Sequence, residues 1–393
     1  MTTSRKKVRL GVIGLGKAYS FLSRALREDE RIELVAAADP NESARLTFHS
    51  KTGGVAYADA GQLLADSRID AVYIATPPAT HLSLTLAAAA AGKHILIEKP
   101  MSVSITECET MVQAADKAHV QLLVGHTHSY DLPILMARAH ILSGKYGRLR
   151  HLTLVNYNNF LTRLRAPDAL DSKNGGGVVL HQGFHQVDVA RLIAGGLVDT
   201  VTASRGFWNN RFHSEGAYTA TLRFRCGATA TLIYSGYGRF DSDEFCGGVS
   251  ETGLLKATPP AHESEFGLVE RRQRYHEHFG LVLASCEDAD IRPGPEGVII
   301  YREHEKTFAR APEVSIPRSE VIDELYGAVV NGESPLHSGN WALATQEVCE
   351  LMLSKSSESG SHKLKLQVEH APISERRFDK SVVPAAIHNR QQV

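Results

Sequence analysis

VRLGVIGLGKAY, residues Val8 to Tyr19, sets an apolar run of strand length directly before two glycines and the start of a helix-spaced segment. Val8, Leu10, Val12 and Ile13 predict a strand, Gly14-Leu15-Gly16 a tight turn, and Lys17 onward a helix. Such a turn brings bare backbone close to a pyrophosphate while the unpaired N–H groups of the helix face its charge. At the third position of the dinucleotide fingerprint stands Tyr19 in place of glycine or alanine, so helix and strand sit slightly further apart there. An ordinary glycine turn shares these features; what discriminates is an acidic residue about 20 positions on, after the second strand. Ile32 to Ala38 is that strand, and Asp39 follows it. Its carboxylate suits both ribose hydroxyls of an adenosine and repels a 2′-phosphate, which points to NAD rather than NADP.

The strand–helix rhythm continues to about residue 125. Ala18, Phe21, Leu22 and Ala25 share one face of the first helix, and Pro40 opens a second that ends near Gly53 and Gly54. Ala71 to Ala75 is an apolar strand stopping at Thr76-Pro77-Pro78, followed by an alanine-rich helix from about Thr80 to Ala91. His94 to Ile97 runs into Glu98-Lys99-Pro100, Ser104 and Glu107 make a capping box, and Val120 to Val124 closes the unit. Strands apolar on both faces and separated by helices predict a doubly wound parallel sheet. Gly14, Asp39, Thr76, Glu98 and His126 all fall at carboxyl ends of strands, where one cleft collects them.

Beyond Gly125 partial period-2 alternation replaces this rhythm at Leu149–Tyr157, Thr200–Phe207, Thr219–Phe224 and Ala228–Tyr234. A second, α+β unit with an open, mostly antiparallel sheet is predicted. Residues Ser235 to Ala311 resist parsing, since Pro259-Pro260 and Pro293-Gly294-Pro295 break any long element. Helical spacing returns at Ser319–Asn331 and Asn340–Leu353. The expected division is 1–125, 126–372 and a polar tail over 373–393, mobile from Asp379 to Val393. A chain of 393 residues, 43% of them hydrophobic, is long enough for two cores. Lys+Arg 43 against Asp+Glu 44, evenly mixed, gives no case for nucleic acid or a membrane surface, and a small molecule is the expected partner. The five cysteines are scattered and without a Cys-x-x-Cys pair, and no stretch reaches the ~18 apolar residues of a membrane span; a cytoplasmic protein is expected.

GVIGLG, AADP, ATPPATH and EKP, followed by GGGVVLHQGFHQVD, resemble the glucose-fructose oxidoreductase and inositol dehydrogenase family, Gfo/Idh/MocA, over about residues 8 to 370. The resemblance implies a Rossmann domain followed by a sheet domain whose exposed face mediates assembly, here a homodimer or homotetramer. It also implies that Gly14, Gly16, Asp39, Thr76, Pro77, His81, Glu98 and Lys99 line the cofactor site, with Leu15, Lys17 and Ala18 of the same turn. The segment Asn158 to Asp188 is similar to the branch that dehydrogenates 4,5-dihydro-4,5-dihydroxyphthalate.

Oxidising an alcohol by hydride transfer needs a group to take the hydroxyl proton, and Lys99 and His185 are the candidates. A lysine partly desolvated beside the nicotinamide charge would be disfavoured as a cation, unless it simply reaches water. His185 follows Gly175-Gly176-Gly177, where bare backbone lets a ring approach, and is expected near a helix N-terminus that favours neutral imidazole. A packed or capping histidine is the competing account. Sugar-oxidising members carry aspartate four residues earlier, where this chain has His181, which argues against a sugar polyol and for an aromatic or anionic substrate. Asp188 either orients His185 across one helical turn or is a solvated or capping aspartate. His126-x-His128, His181-x-x-x-His185 and His276-x-His278 invite a metal, but no cysteine or carboxylate accompanies them at ligand spacing and none is expected. His126 and His128 are expected on substrate, His276 and His278 in a polar loop. Arg163 and Arg165 have forks suited to two carboxylates, although loop arginines are commonly just exposed.

The expected activity is therefore NAD-dependent oxidation of a cyclic, dicarboxylated cis-dihydrodiol. A sugar or inositol dehydrogenase of the same family and a non-catalytic, cofactor-bound regulator are the alternatives; the presence of both Lys99 and His185 argues against the regulator.

Overall fold

A computed structural model describes residues 6–164, 170–172, 176–256, 274–354 and 360–369. The first sheet is parallel and six-stranded, in the order β3-β2-β1-β4-β5-β6. Its strands are β1 (Val8–Ile13), β2 (Ile32–Ala38), β3 (Val55–Tyr57), β4 (Ala71–Ile74), β5 (His94–Ile97) and β6 (Leu122–Val124). Between them run α1 (Lys17–Glu28), α2 (Glu42–Thr52), α3 (Ala60–Leu64), α4 (His81–Ala90) and α5 (Ile105–Lys117). The strand order reverses between β1 and β4, and a crevice opens beyond carboxyl ends at such a switch point. The sequence reading omitted only the short β3 and α3. Local signals hold the rest: Asn41 caps α2 through Ala44 N (3.2 Å), Gly53 ends it in the left-handed region, and Ser104 caps α5 through Glu107 N (3.3 Å).

α6 (Leu132–Leu142) leads into the second sheet. β7 (Leu149–Tyr157), α7 (Phe184–Ala194), β8 (Val198–Gly206), β9 (Ala217–Phe224) and β10 (Thr229–Ser235) come first. β11 (Leu281–Cys286), β12 (Asp290–Gly294), β13 (Gly297–Tyr301) and β14 (Lys306–Arg310) follow, then α8 (Ser319–Val330), α9 (Gly339–Leu353) and β15 (His362–Lys363). The nine strands run β14-β13-β12-β11-β7-β10-β9-β8-β15, antiparallel except where β7 meets β10. Four of them, β11 to β14, occupy the stretch that resisted parsing. There Pro293-Gly294 ends a strand at a hairpin, Gly294 pairing Gly297, instead of excluding strand structure.

The last helices return to the first sheet. Val321, Ile322 and Leu325 of α8 are fully buried with Leu22 and Leu26 of α1 over Val8, Leu10 and Val12 of β1. Each such side chain is worth roughly 1.5–3 kcal/mol of transfer free energy. On the opposite face one continuous core runs from Ile95 and Ile97 of β5 through α5, α7 and α9 to the inner face of the second sheet. This shared core fixes the crevice walls relative to each other. No helix among the described residues is long and apolar enough to cross a membrane. The tail 373–393 lies outside the described residues.

Candidate active site

Beyond the carboxyl end of β1, Gly14 has φ +92°, and a Cβ there would stand 2.8 Å from the Ala75 carbonyl oxygen, so the turn closes only over glycine. At Gly16, the N-cap of α1, a Cβ would meet nothing within 4 Å: the backbone faces open space ahead of Lys17 and Ala18. That cradle fits a pyrophosphate at a helix N-terminus. Asp39 accepts from Leu15 N through Oδ2 (2.7 Å) and from Asn41 N through Oδ1 (2.8 Å), which pins the turn to the end of β2 and leaves carboxylate lone pairs over for hydroxyl groups. Thr76 and Pro77 follow β4, and Thr80 Oγ1 donates to Thr76 Oγ1 at 2.8 Å.

His81 lies beneath this surface, fully buried. Its Nε2 is 2.9 Å from the Thr76 carbonyl and its Nδ1 3.1 Å from that of Met101, so the ring clamps together the loops that follow β4 and β5. Glu98 accepts a short hydrogen bond from Tyr73 Oη, and burial raises its pKa. Lys99, joined to Pro100 by a cis peptide, donates from Nζ to the His181 carbonyl at 2.8 Å. The two units meet at this contact, made by the backbone of His181 while its ring leans on Phe160 (5.9 Å).

Two expectations about His185 need correction. Residues 177–178 are already helical, Val179–Gly183 forms a π turn and α7 follows without a break, so His185 sits inside a helix and not at its N-terminus. The neutral imidazole has another cause: burial first, then the positive charges of Lys99, His128, His126 and Arg318, hold its pKa well below the ordinary 6.5. Nor does bare backbone at Gly177 wait for a ligand ring. A Cβ there would lie 2.4 Å from Glu215 Oε1, and this buried carboxylate accepts from Val179 N at 2.9 Å. Gly175 lies outside the described residues.

Asp188 neither orients His185 nor meets solvent. It is 1% exposed, and Oδ1 accepts from Trp341 Nε1 (2.5 Å) and Thr345 Oγ1 (3.2 Å) while Oδ2 accepts from Thr127 Oγ1 (2.5 Å) and Ser129 Oγ. Against His185 lie instead the edge of His128 (centroids 4.8 Å) and Phe279 (4.9 Å); its Nδ1 is buried without a hydrogen-bond partner among the described residues.

His128 gives Nδ1 to Asp131 Oδ2 at 2.7 Å. Burial works against the charged ring, but the Asp131 charge and hydrogen bond outweigh it and raise its pKa. His126 is pushed down to about 4 by burial and then by Arg318. Arg318 bonds Glu277 (Nη2–Oε2 3.0 Å) and lies 5.0 Å over the Phe21 ring of α1. Asp131, Glu277, Phe279 and Arg318 went unseen in the sequence, where no motif marks them. Arg163 faces Glu251 at 3.7 Å, and Glu251 also accepts from Asn158 Nδ2 (2.7 Å) and Asn156 Nδ2 (3.1 Å). Arg165 lies outside the described residues. His276 and His278 do lie in a loop, but buried in it, with Nε2 2.8 Å from the carbonyls of Pro312 and Val249 respectively.

A Rossmann sheet with a phosphate-sized glycine turn, an acid ending its second strand, and a lysine and a neutral imidazole gathered above it define a nicotinamide-dependent oxidoreductase. The chain belongs to the Gfo/Idh/MocA oxidoreductase family: the model of its NAD-binding Rossmann fold matches residues 8–126 and that of its C-terminal domain residues 134–246. It is 36% identical over 373 residues to 1-carboxy-3-chloro-3,4-dihydroxycyclohexa-1,5-diene dehydrogenase of Comamonas testosteroni, covering 88% of this chain and 94% of the relative. To myo-inositol 2-dehydrogenase of Thermotoga maritima it is 31% identical over 231 residues, 57% of this chain and 67% of the relative. A solved structure from Bordetella bronchiseptica superposes with TM-score 0.84 at 33% identity, over 91% of this chain and all of that one. The chain is thus an NAD-dependent oxidoreductase, and these relatives are dehydrogenases.

Proposed function

We propose that the chain oxidises a carboxylated cyclic cis-dihydrodiol to a catechol. His185 carries this reading: a buried imidazole kept neutral, its Nδ1 without a hydrogen-bond partner among the described residues, is a base for a hydroxyl proton. The relative from Comamonas testosteroni, whose name specifies a ring with a carboxyl group and adjacent hydroxyls, supports the substrate class. NAD, when bound, takes up the hydride. His185 accepts the proton of the oxidised hydroxyl, and Lys99, anchored on the His181 carbonyl, holds the same oxygen by hydrogen bonding. The hydroxyketone left by loss of H⁻ and H⁺ tautomerises to the catechol, and aromaticity draws the reaction forward. An imidazole stands at 181 where sugar oxidation would call for a carboxylate, which disfavours the inositol alternative.

The loop of Arg163 and Arg165 is the proposed holder of a second ring carboxylate, in competition with Glu251 for the Arg163 fork. All five cysteines are free thiols, which supports a cytoplasmic setting. The test is NADH formation with mono- and dicarboxylated cis-dihydrodiols, inositols and sugars. Turnover is expected with the dihydrodiols, and Arg163→Met should raise KM for the dicarboxylate roughly 10-fold or more while KM for NAD holds. Turnover of neutral polyols alone overturns the assignment.

A further inference from the structure

His126, Asp131 and Glu277 converge where the turn after β6 meets the segment ahead of β11. His126 Nε2 lies 3.3 Å from Asp131 Oδ1 and 3.9 Å from Glu277 Oε2, and the donor atoms of all three lie within 4.8 Å of one another. Asp131 thus meets the ring nitrogen at the long edge of hydrogen-bonding distance and Glu277 beyond it. In a tetrahedral site with bonds of ~2.0–2.2 Å, donor atoms stand about 3.3–3.6 Å apart; the His126–Asp131 pair already stands at 3.3 Å, and Glu277 at 3.9 Å from His126 would have to move in by a few tenths of an ångström.

The surroundings fit the same use. His126 and Asp131 are each 6% exposed, so their donor atoms meet one another rather than bulk water. Asp131 turns Oδ2 to His128 Nδ1 at 2.7 Å and so keeps Oδ1 toward His126. Arg318 Nε lies 3.1 Å from both oxygens of Glu277 and fixes the plane of that carboxylate. Outer hydrogen bonds of this kind orient metal ligands. A small cavity of about 20 Å³ opens on the cluster, with Arg274 and Glu320 also in its wall, and gives room for a single water ligand.

We propose that His126, Asp131 and Glu277 bind one first-row divalent cation of the Mn²⁺, Fe²⁺ or Zn²⁺ class, tying the turn after β6 to the segment before β11. One imidazole and two carboxylates make a donor set for these ions rather than for Cu⁺ or Ca²⁺. The sequence showed the histidine pairs at 126/128 and 276/278 but not that Glu277, which precedes β11, meets His126 and Asp131. The bound ion sets a fixed positive charge two rings from His185, through His128.

The full chain, stripped with a chelator, is dialysed to equilibrium against Zn²⁺ and, separately, Mn²⁺, without NAD or substrate, and bound metal is counted. About one equivalent is expected, with a rise in Tm, and Glu277→Gln and Asp131→Asn should each weaken binding at least ~10-fold. Glu287→Gln, on an exposed ion pair, should leave it unchanged. Less than about a tenth of an equivalent on the parent chain overturns the site however the variants fold, and so does binding that both variants retain. Because no substrate enters the measurement, it succeeds or fails independently of the dihydrodiol reading.

Discussion

His185 has its charge state set by what surrounds it rather than by a partner. A base must be deprotonated to act, and burial together with the charges of Lys99, His128, His126 and Arg318 depresses its pKa. kcat/KM should therefore stay flat through neutral pH and fall only as pH drops through a value well below 6.5. Lys99→Met should lower kcat by at least ~100-fold and, by deleting one depressing charge, move that acid limb to higher pH. A pH–rate profile whose limb stays put in the variant would mean that Lys99 does not act on His185. At the other end of the cleft, Asp39 has one oxygen on Leu15 N of the glycine turn and the other on Asn41 N ahead of α2, so its charge is fixed where a 2′-phosphate would arrive. NAD should give the higher kcat/KM, and Asp39→Ala should narrow the gap to NADP; a parent enzyme preferring NADP would contradict this reading. Gly14, Asp39 and Lys99 could be found in the sequence because each stands at a fixed offset from a strand end. Asp131, Glu277 and Arg318 could not, since their juxtaposition is made by chain that returns from far away.

α7 is placed by its buried aspartate. Thr127 and Ser129 from the turn after β6, and Trp341 and Thr345 from α9, all converge on Asp188, one turn beyond His185. Ser129 continues to His337 Nε2 (2.7 Å), whose Nδ1 meets Glu324 Oε2 of α8 at 2.9 Å. Asp188→Ala would strand several buried donors, each costing about 1–3 kcal/mol, so a loss on the order of 3 kcal/mol or more is expected in urea unfolding. A loss under about 1 kcal/mol would show that these bonds do not hold the helix. Which elements the sequence disclosed follows from their pattern. α5 has a cap and one apolar face, whereas α6 is buried from Pro133 to Ile141 and shows no amphipathic period to read. β12 and β13 are five residues each, too short for alternation to stand out, and the Pro-Gly at their hairpin imitates a loop.

The two sheets differ in how they end. The first is covered on both faces, by α1 and α8 on one and by α5 and α9 on the other, and the parallel pattern that announced it in the sequence is the pattern of double burial. The second packs one face on the core: Leu152, Leu154, Leu232 and Val282 point into it, while Thr153, Val155, Thr231, Ile233, Leu281 and Leu283 alternate with them on the other side and stay partly exposed. Ile233, Val155 and Leu281 lie in register across β10, β7 and β11, forming an apolar row at the sheet's centre. Nine strands at ~4.8 Å spacing and ~20 Å length present roughly 800 Å². That is about what each partner contributes to a stable protein–protein interface. We expect two copies to pair through this face, giving a dimer or, with a further contact, a tetramer, by light scattering at micromolar concentration. Ile233→Lys places a charge in the middle of the row and should yield monomers that still bind NAD, because the cofactor cleft lies on the other sheet. A parent chain that scatters as a monomer, or an Ile233→Lys variant that stays associated, would assign the open face to something other than self-association.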